Sequence, residues 1–350
     1  MLKIIKLFTF ALCICTTTTY KVNARNESSA SVVSVRRAVS PKGSNFLIAD
    51  VAAFTKDIFA PSLIQDFYKV FVQLPPKKLV SPRNVKHGTI EDIRKNLVRS
   101  LISTCPAEKI LNQQCLCEQT YTNIKIFQND DFDSLVTVAT DEQDKLILVS
   151  YRASLTAQNW VTNFEYPMVD LPTAKEGVKV HHGFYSNYLS SYFPVRNAVI
   201  ELLDNPIYKN FTLHITGYSL GASTATISLP DWVSLLKSRY DHRKIEAYAY
   251  ASPRPGNEGF AQYIADLNVP ITRYSNRNDV VPQLGPRSGG FVHAAPEIHE
   301  RYIGFGRTEL IECSQEYDED PNCGYKENFP VSLAMHLAPL NGLIPLPPYC

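Results

Sequence analysis

The sequence predicts an α/β fold, a mostly parallel central sheet with helices on both faces, and three observations predict it. Short apolar runs of strand length recur at Lys145–Tyr151, Phe211–Thr216, Ile245–Ala251 and Ile271–Tyr274. The stretches around and between them suit helices, as at Ile90–Leu101, Tyr188–Leu203 and Ala222–Lys237. One strand runs straight into Gly217-Tyr218-Ser219-Leu220-Gly221 and then into small residues, the pattern of a tight strand-to-helix turn. Strands alternating with helices give a sheet whose strands are buried on both faces.

The 350 residues are 45% hydrophobic, enough for a large core, and carry 35 basic against 34 acidic side chains. A net charge of +1 supplies no field to gather nucleic acid, so a nucleic-acid role is not expected. Lys3 and Lys6 precede an apolar run from Leu7 to Cys15 and a polar stretch ending at Ala24, so residues 1–24 read as a secretory signal peptide. No later run is apolar and long enough to span a bilayer, and no transmembrane anchor is expected. The expected location is therefore extracellular, with which the sequons at Asn26 and Asn210 agree. Residues 25–78 are rich in Ser, Pro and basic pairs, including Arg36-Arg37 and Lys77-Lys78, and read as a pro-segment removed by a processing protease. The folded domain then covers 79–350.

Directly after the strand ending at Tyr151, the residues Ala157, Trp160, Val161 and Phe164 fall at i, i+3, i+4 and i+7. Polar residues take the other face, so a short amphipathic helix is expected, ended by Pro167.

In the Gly217–Gly221 turn, the glycines two before and two after Ser219 are needed because the backbone there approaches its neighbours too closely for larger side chains. The following helix aims its first N–H groups at the place where an oxyanion would form. A nucleophilic serine needs a base and an orienting carboxylate, which on this type of turn follow in the order Ser, Asp or Glu, His. Asp279, in Tyr274-Ser-Asn-Arg-Asn-Asp279-Val-Val-Pro282, directly follows a predicted strand and is the expected acid. Three histidines lie beyond it. His336 sits among apolar neighbours, His299 is flanked by Glu297, Glu300 and Arg301 as a solvated residue would be, and His293 suits the core or the surroundings of the site. Order along the chain gives His336 only a modest lead.

Of eight cysteines, Cys13 and Cys15 fall in the signal. The remaining six, Cys105, Cys115, Cys117, Cys313, Cys323 and Cys350, suggest disulfides in an exported chain, and their spacing does not suit zinc. No metal or other cofactor is called for.

From about residue 90 to 350 the chain resembles the fungal class 3 triacylglycerol lipases, which are secreted α/β-hydrolases. The resemblance rests on Tyr151-Arg-Ala-Ser-Leu-Thr-Ala-Gln-Asn-Trp160, His182-Gly-Phe184, Gly217 to Gly221, Asn278-Asp-Val-Val-Pro282, Phe291-Val-His293 and the terminal stretch His336 to Cys350. It implies Ser219 as nucleophile, Asp279 as acid and His336 as base, with Ser154 joining the backbone of Leu220 in the oxyanion hole. It makes the helix of Ala157, Trp160, Val161 and Phe164 a lid that turns its apolar face to a lipid–water interface. It further implies Cys105 bonded to Cys350 and Cys313 to Cys323; for Cys115 and Cys117 the family's spacing is wider. Tyr218 stands where these lipases usually have histidine, and Ala222 and Ala153 stand where they have glycine. The implied activity is hydrolysis of lipid esters through an acyl-enzyme. Two alternatives remain: an esterase of the same fold for feruloyl or other soluble esters, and a catalytically silent lipid-binding protein.

Overall fold

The computed structural model describes residues 31–34, 90–114, 119–153, 167–304, 307–314, 319–324, 332–336 and 339–342. All of them fall in one compact unit, made of residues 30–37 and 68–350. Among them are eleven strands. In chain order these are β1 (Ser31–Ser34), β2 (Thr122–Asn129), β3 (Ser134–Asp141), β4 (Leu146–Tyr151), β5 (Met168–Asp170), β6 (Lys179–His181), β7 (Thr212–Tyr218), β8 (Ile245–Tyr250), β9 (Ile271–Asn276), β10 (Glu297–Gly304) and β11 (Arg307–Glu312).

Nine of them form one sheet in the order β1-β2-β3-β4-β7-β8-β9-β10-β11, while β5 and β6 make a separate two-stranded ribbon. From β4 to β10 every neighbouring pair is parallel, so the carboxyl ends of these strands share one edge of the sheet. That edge is where open α/β sheets collect reactive groups. The flanks are antiparallel, β2 and β3 on one side and β11 on the other. The sequence gives little sign of them, because β2 lacks the clean alternation of a one-sided strand. β1 lies inside the stretch expected to be a pro-segment, and it pairs in parallel with β2, Ser31 opposite Lys125 through Ser34 opposite Gln128.

Helix α1 (Ile90–Leu101) covers one face of the sheet. It buries Ile93, Leu97 and Leu101, one side of a 3.6-residue repeat, against Tyr218, Tyr248 and Tyr250. A short α2 (Ala107–Leu111) follows it. On the opposite face lie α3 (His182–Leu189), α4 (Tyr192–Asp204), α5 (Leu220–Arg239) and α6 (Glu258–Asp266), whose apolar residues pack on Ile147, Val149, Leu213 and Ile215. The helix expected over 188–203 is thus two helices. The break falls at Ser190, whose hydroxyl bonds the Asn187 carbonyl at 2.7 Å, the local competition with helical bonding that serine favours. A one-turn α7 (Leu333–His336) lies near the end of the described chain, followed by a short turn at Pro339–Gly342.

His299 corrects the expectation that it is solvated. It is fully buried, and its Nδ1 lies 2.7 Å from Ser275 Oγ. Of the charged neighbours that implied exposure, only Arg301 is exposed, while the two acids are buried and paired: Glu297 with Arg273 at 2.9 Å, and Glu300 with the Tyr274 hydroxyl. Cys313 and Cys323 are bonded to each other. Cys105 is buried and disulfide-bonded, while Cys115, Cys117 and Cys350 lie outside the described residues. No helix among the described residues is long and apolar enough to cross a membrane.

Candidate active site

At the carboxyl end of β7 the chain turns into α5 through Ser219, which holds φ 56° and ψ −124°. A non-glycine residue there carries on the order of 1–3 kcal/mol of strain, which persists only where the surroundings enforce it. They do so from two sides. A β-carbon on Gly217 would lie 2.3 Å from the Gly221 carbonyl, and one on Gly221 would lie 2.1 Å from the Tyr151 carbonyl oxygen. The Ser219 amide donates to the Tyr250 carbonyl at 2.8 Å, fixing the turn to the end of β8.

The structure brings the three widely separated residues together. His336 Nε2 lies 2.9 Å from Ser219 Oγ, and His336 Nδ1 lies 2.8 Å from Asp279 Oδ2. Asp279 is buried in the loop after β9, where its other oxygen accepts the Val281 N–H at 2.9 Å. An imidazole so placed donates Nδ1–H to the carboxylate and presents Nε2 to the hydroxyl, which is the arrangement that activates a serine. His336 is thus the histidine beside the serine. His293 instead bonds the Pro282 carbonyl at 2.9 Å, and burial, with Arg273 adding to it, holds its imidazole well below the ordinary pKa.

Leu220 opens α5 directly after the serine, so its backbone lies at the helix N-terminus. Beside it, β4 ends at Tyr151, and the next residue, Arg152, donates to the Ser103 carbonyl at 3.0 Å. Ser154 and the lid residues Ala157, Trp160, Val161 and Phe164 lie outside the described residues.

Behind the acid loop lies a buried charge network that the sequence does not announce. The Arg254 guanidinium binds both oxygens of Glu319, at 2.6 and 2.8 Å, and donates to the Gln283 and Gly285 carbonyls at 2.6 and 3.0 Å. Arg287 shares the same carboxylate at 2.9 Å. Burial pushes the Glu319 carboxyl up, but Arg254, His293 and Arg287 together outweigh it and hold it far below the usual carboxylate range. Glu319 is delivered by the loop that the Cys313–Cys323 disulfide closes. The only cue in sequence was that pair of cysteines ten residues apart.

Residues 148–288 match the family model described as Lipase (class 3). The lipase of Rhizomucor miehei is 30% identical over 176 residues, 50% of this chain and 47% of that protein. A secreted mono- and diacylglycerol lipase of Penicillium cyclopium is 33% identical over 175 residues, 48% of this chain and 54% of that protein. The chain thus spans about half the length of the curated relatives it matches. Among solved structures, the Rhizomucor miehei lipase propeptide complex superposes with a TM-score of 0.63 at 21% identity, over 81% of this chain and 96% of that one. That likeness shows the α/β-hydrolase fold. The stretch that matches the class 3 lipase model, residues 148–288, includes both Ser219 and Asp279.

Proposed function

We propose that this chain is a serine carboxylic-ester hydrolase that releases fatty acids from acylglycerols, with Ser219 as nucleophile, His336 as base and Asp279 as the orienting acid. The observation that carries the reading is the unbroken path from carboxylate to imidazole to hydroxyl, at 2.8 and 2.9 Å, on a strained strand-to-helix turn. His336 Nε2 takes the Ser219 proton as Oγ attacks the ester carbonyl. The tetrahedral oxyanion is held by the Leu220 N–H and by Ser154; a donor of this kind is worth roughly 3 kcal/mol of barrier. Collapse passes the proton to the leaving alcohol, and water, deprotonated by the same imidazole, then frees the acid. Asp279 keeps Nδ1 protonated and stabilises the imidazolium.

The names of the relatives, lipase and mono- and diacylglycerol lipase, support a glyceride substrate. Secretion, removal of residues 25–78 and a lid formed by Ala157, Trp160, Val161 and Phe164 at a lipid–water interface belong to the same proposal. Assay of the purified protein against triolein, diolein, a phosphatidylcholine and methyl ferulate tests it, with Ser219→Ala alongside. Glyceride cleavage by the wild type and none by the variant is expected. Turnover of methyl ferulate alone would move the reading to a soluble-ester esterase, and cleavage retained by the variant would end it.

A further inference from the structure

The base reaches the site on a segment that cannot hold its own shape. Helix α7 is a single turn, and four residues cannot satisfy their own carbonyls or persist alone. Side chains from two strand ends supply the partners. Asn276 Nδ2, at the end of β9, donates to the Met335 carbonyl at 2.5 Å. The Tyr218 hydroxyl, at the end of β7, donates to the carbonyl of His336 itself. The Tyr218 ring also lies beside the imidazole, centroids 5.1 Å apart and planes inclined by 40°.

From this geometry we infer that Tyr218 and Asn276 are positioning residues that pin the backbone of His336 from the same two strand ends that carry Ser219 and Asp279. Tyr218 immediately precedes the nucleophile, and Asn276 lies three residues before the acid. Any shift of either strand end therefore carries the base with it. The flanks of the turn are tied to the same places. The Ser332 amide donates to the Asn278 carbonyl at 2.8 Å, and the Leu340 amide to the Tyr274 hydroxyl at 3.1 Å. Burial, with Asp279 and Glu300 adding to it, pushes the Tyr218 phenol well above its ordinary pKa, so the hydroxyl remains a donor.

The inference rests on the catalytic reading of Ser219, and one experiment separates the two. The full chain, its Ser219→Ala, Tyr218→Phe and Asn276→Ala variants and the Tyr218→Phe/Asn276→Ala double variant are assayed on p-nitrophenyl butyrate and labelled with a fluorophosphonate. Label is counted per folded molecule, so a poorly folding variant still gives a rate. Tyr218→Phe is expected to lower kcat about tenfold, the worth of one hydrogen bond, with KM within about twofold. The double variant is expected to fall further. Equal labelling rates and kcat in wild type and Tyr218→Phe, or a raised KM at constant kcat, would overturn the clamp alone. A wild type that takes no label on Ser219 would overturn the catalytic reading and the clamp with it.

Discussion

Gly221 packs its α-carbon directly against the carbonyl oxygen of Tyr151, where a β-carbon would come within 2.1 Å of that oxygen. Backbone meets backbone here, so nothing can yield cheaply. Gly221→Ala should therefore lower stability by roughly 3 kcal/mol or more, in the range of severe overpacking. Ser219→Gly should do the opposite, gaining on the order of 1 kcal/mol by relieving the strain at φ 56° while abolishing turnover. Thermal unfolding of both variants beside Ser219→Ala checks the pair; a Ser219→Gly protein less stable than Ser219→Ala would contradict the strain argument.

Asp279→Asn keeps an oxygen for the Val281 amide, so the loop should survive while the imidazole loses its tautomer. A fall in kcat of about 10⁴-fold is expected by analogy with other serine triads, with KM little changed. Steady-state kinetics with a soluble ester decide it, and a loss below tenfold would show that the acid lies elsewhere.

Glu319 neutralises two buried guanidiniums at once. Glu319→Gln removes the charge but not the shape, and should destabilise by about 3–5 kcal/mol, as breaking a buried pair does. Its carboxyl is depressed in the folded state, so the stability it contributes is present above the ordinary carboxylate pKa and is lost as pH falls below it. Urea titrations from pH 7 down to pH 3 should show the wild type losing stability in the acid range and the variant losing less.

His181 caps α3 with Nδ1, which accepts the Gly183 amide at 3.1 Å and so must stay unprotonated. Burial, with His182 adding to it, pushes its imidazole down to about 4. The unfolded chain takes up the proton near 6.5, so stability is full above that value and declines as pH falls toward 4. The gap is worth on the order of 3 kcal/mol. His181→Asn, which caps without titrating, should flatten this part of the pH–stability curve; an unchanged slope would exclude His181 as its source.

The central strands and the Ser219 turn were legible because both are local. β4 is a nearly continuous apolar run, β7 sets Leu213 and Ile215 between polar residues in a strand-length segment, and the turn demands glycine at two fixed places. Asp279 was legible for a related reason, since it directly follows β9. His336 was not separable from His293 and His299 by local pattern, because only the fold determines which of the three faces the hydroxyl. His299 was misread because Glu297 and Glu300 resemble a solvated run, yet their partners, Arg273 and Tyr274, come from the neighbouring strand β9. Long-range pairing of this kind leaves no trace in spacing. The roles of Tyr218, Asn276 and Arg254 were hidden for the same reason.

His336 follows β11 in the chain, whereas Ser219 and Asp279 precede it. A polypeptide emerging from the ribosome therefore exposes its hydroxyl and its carboxylate well before its imidazole exists. On the proposed reading, the nascent chain acquires its base only after both the nucleophile and the acid have been made.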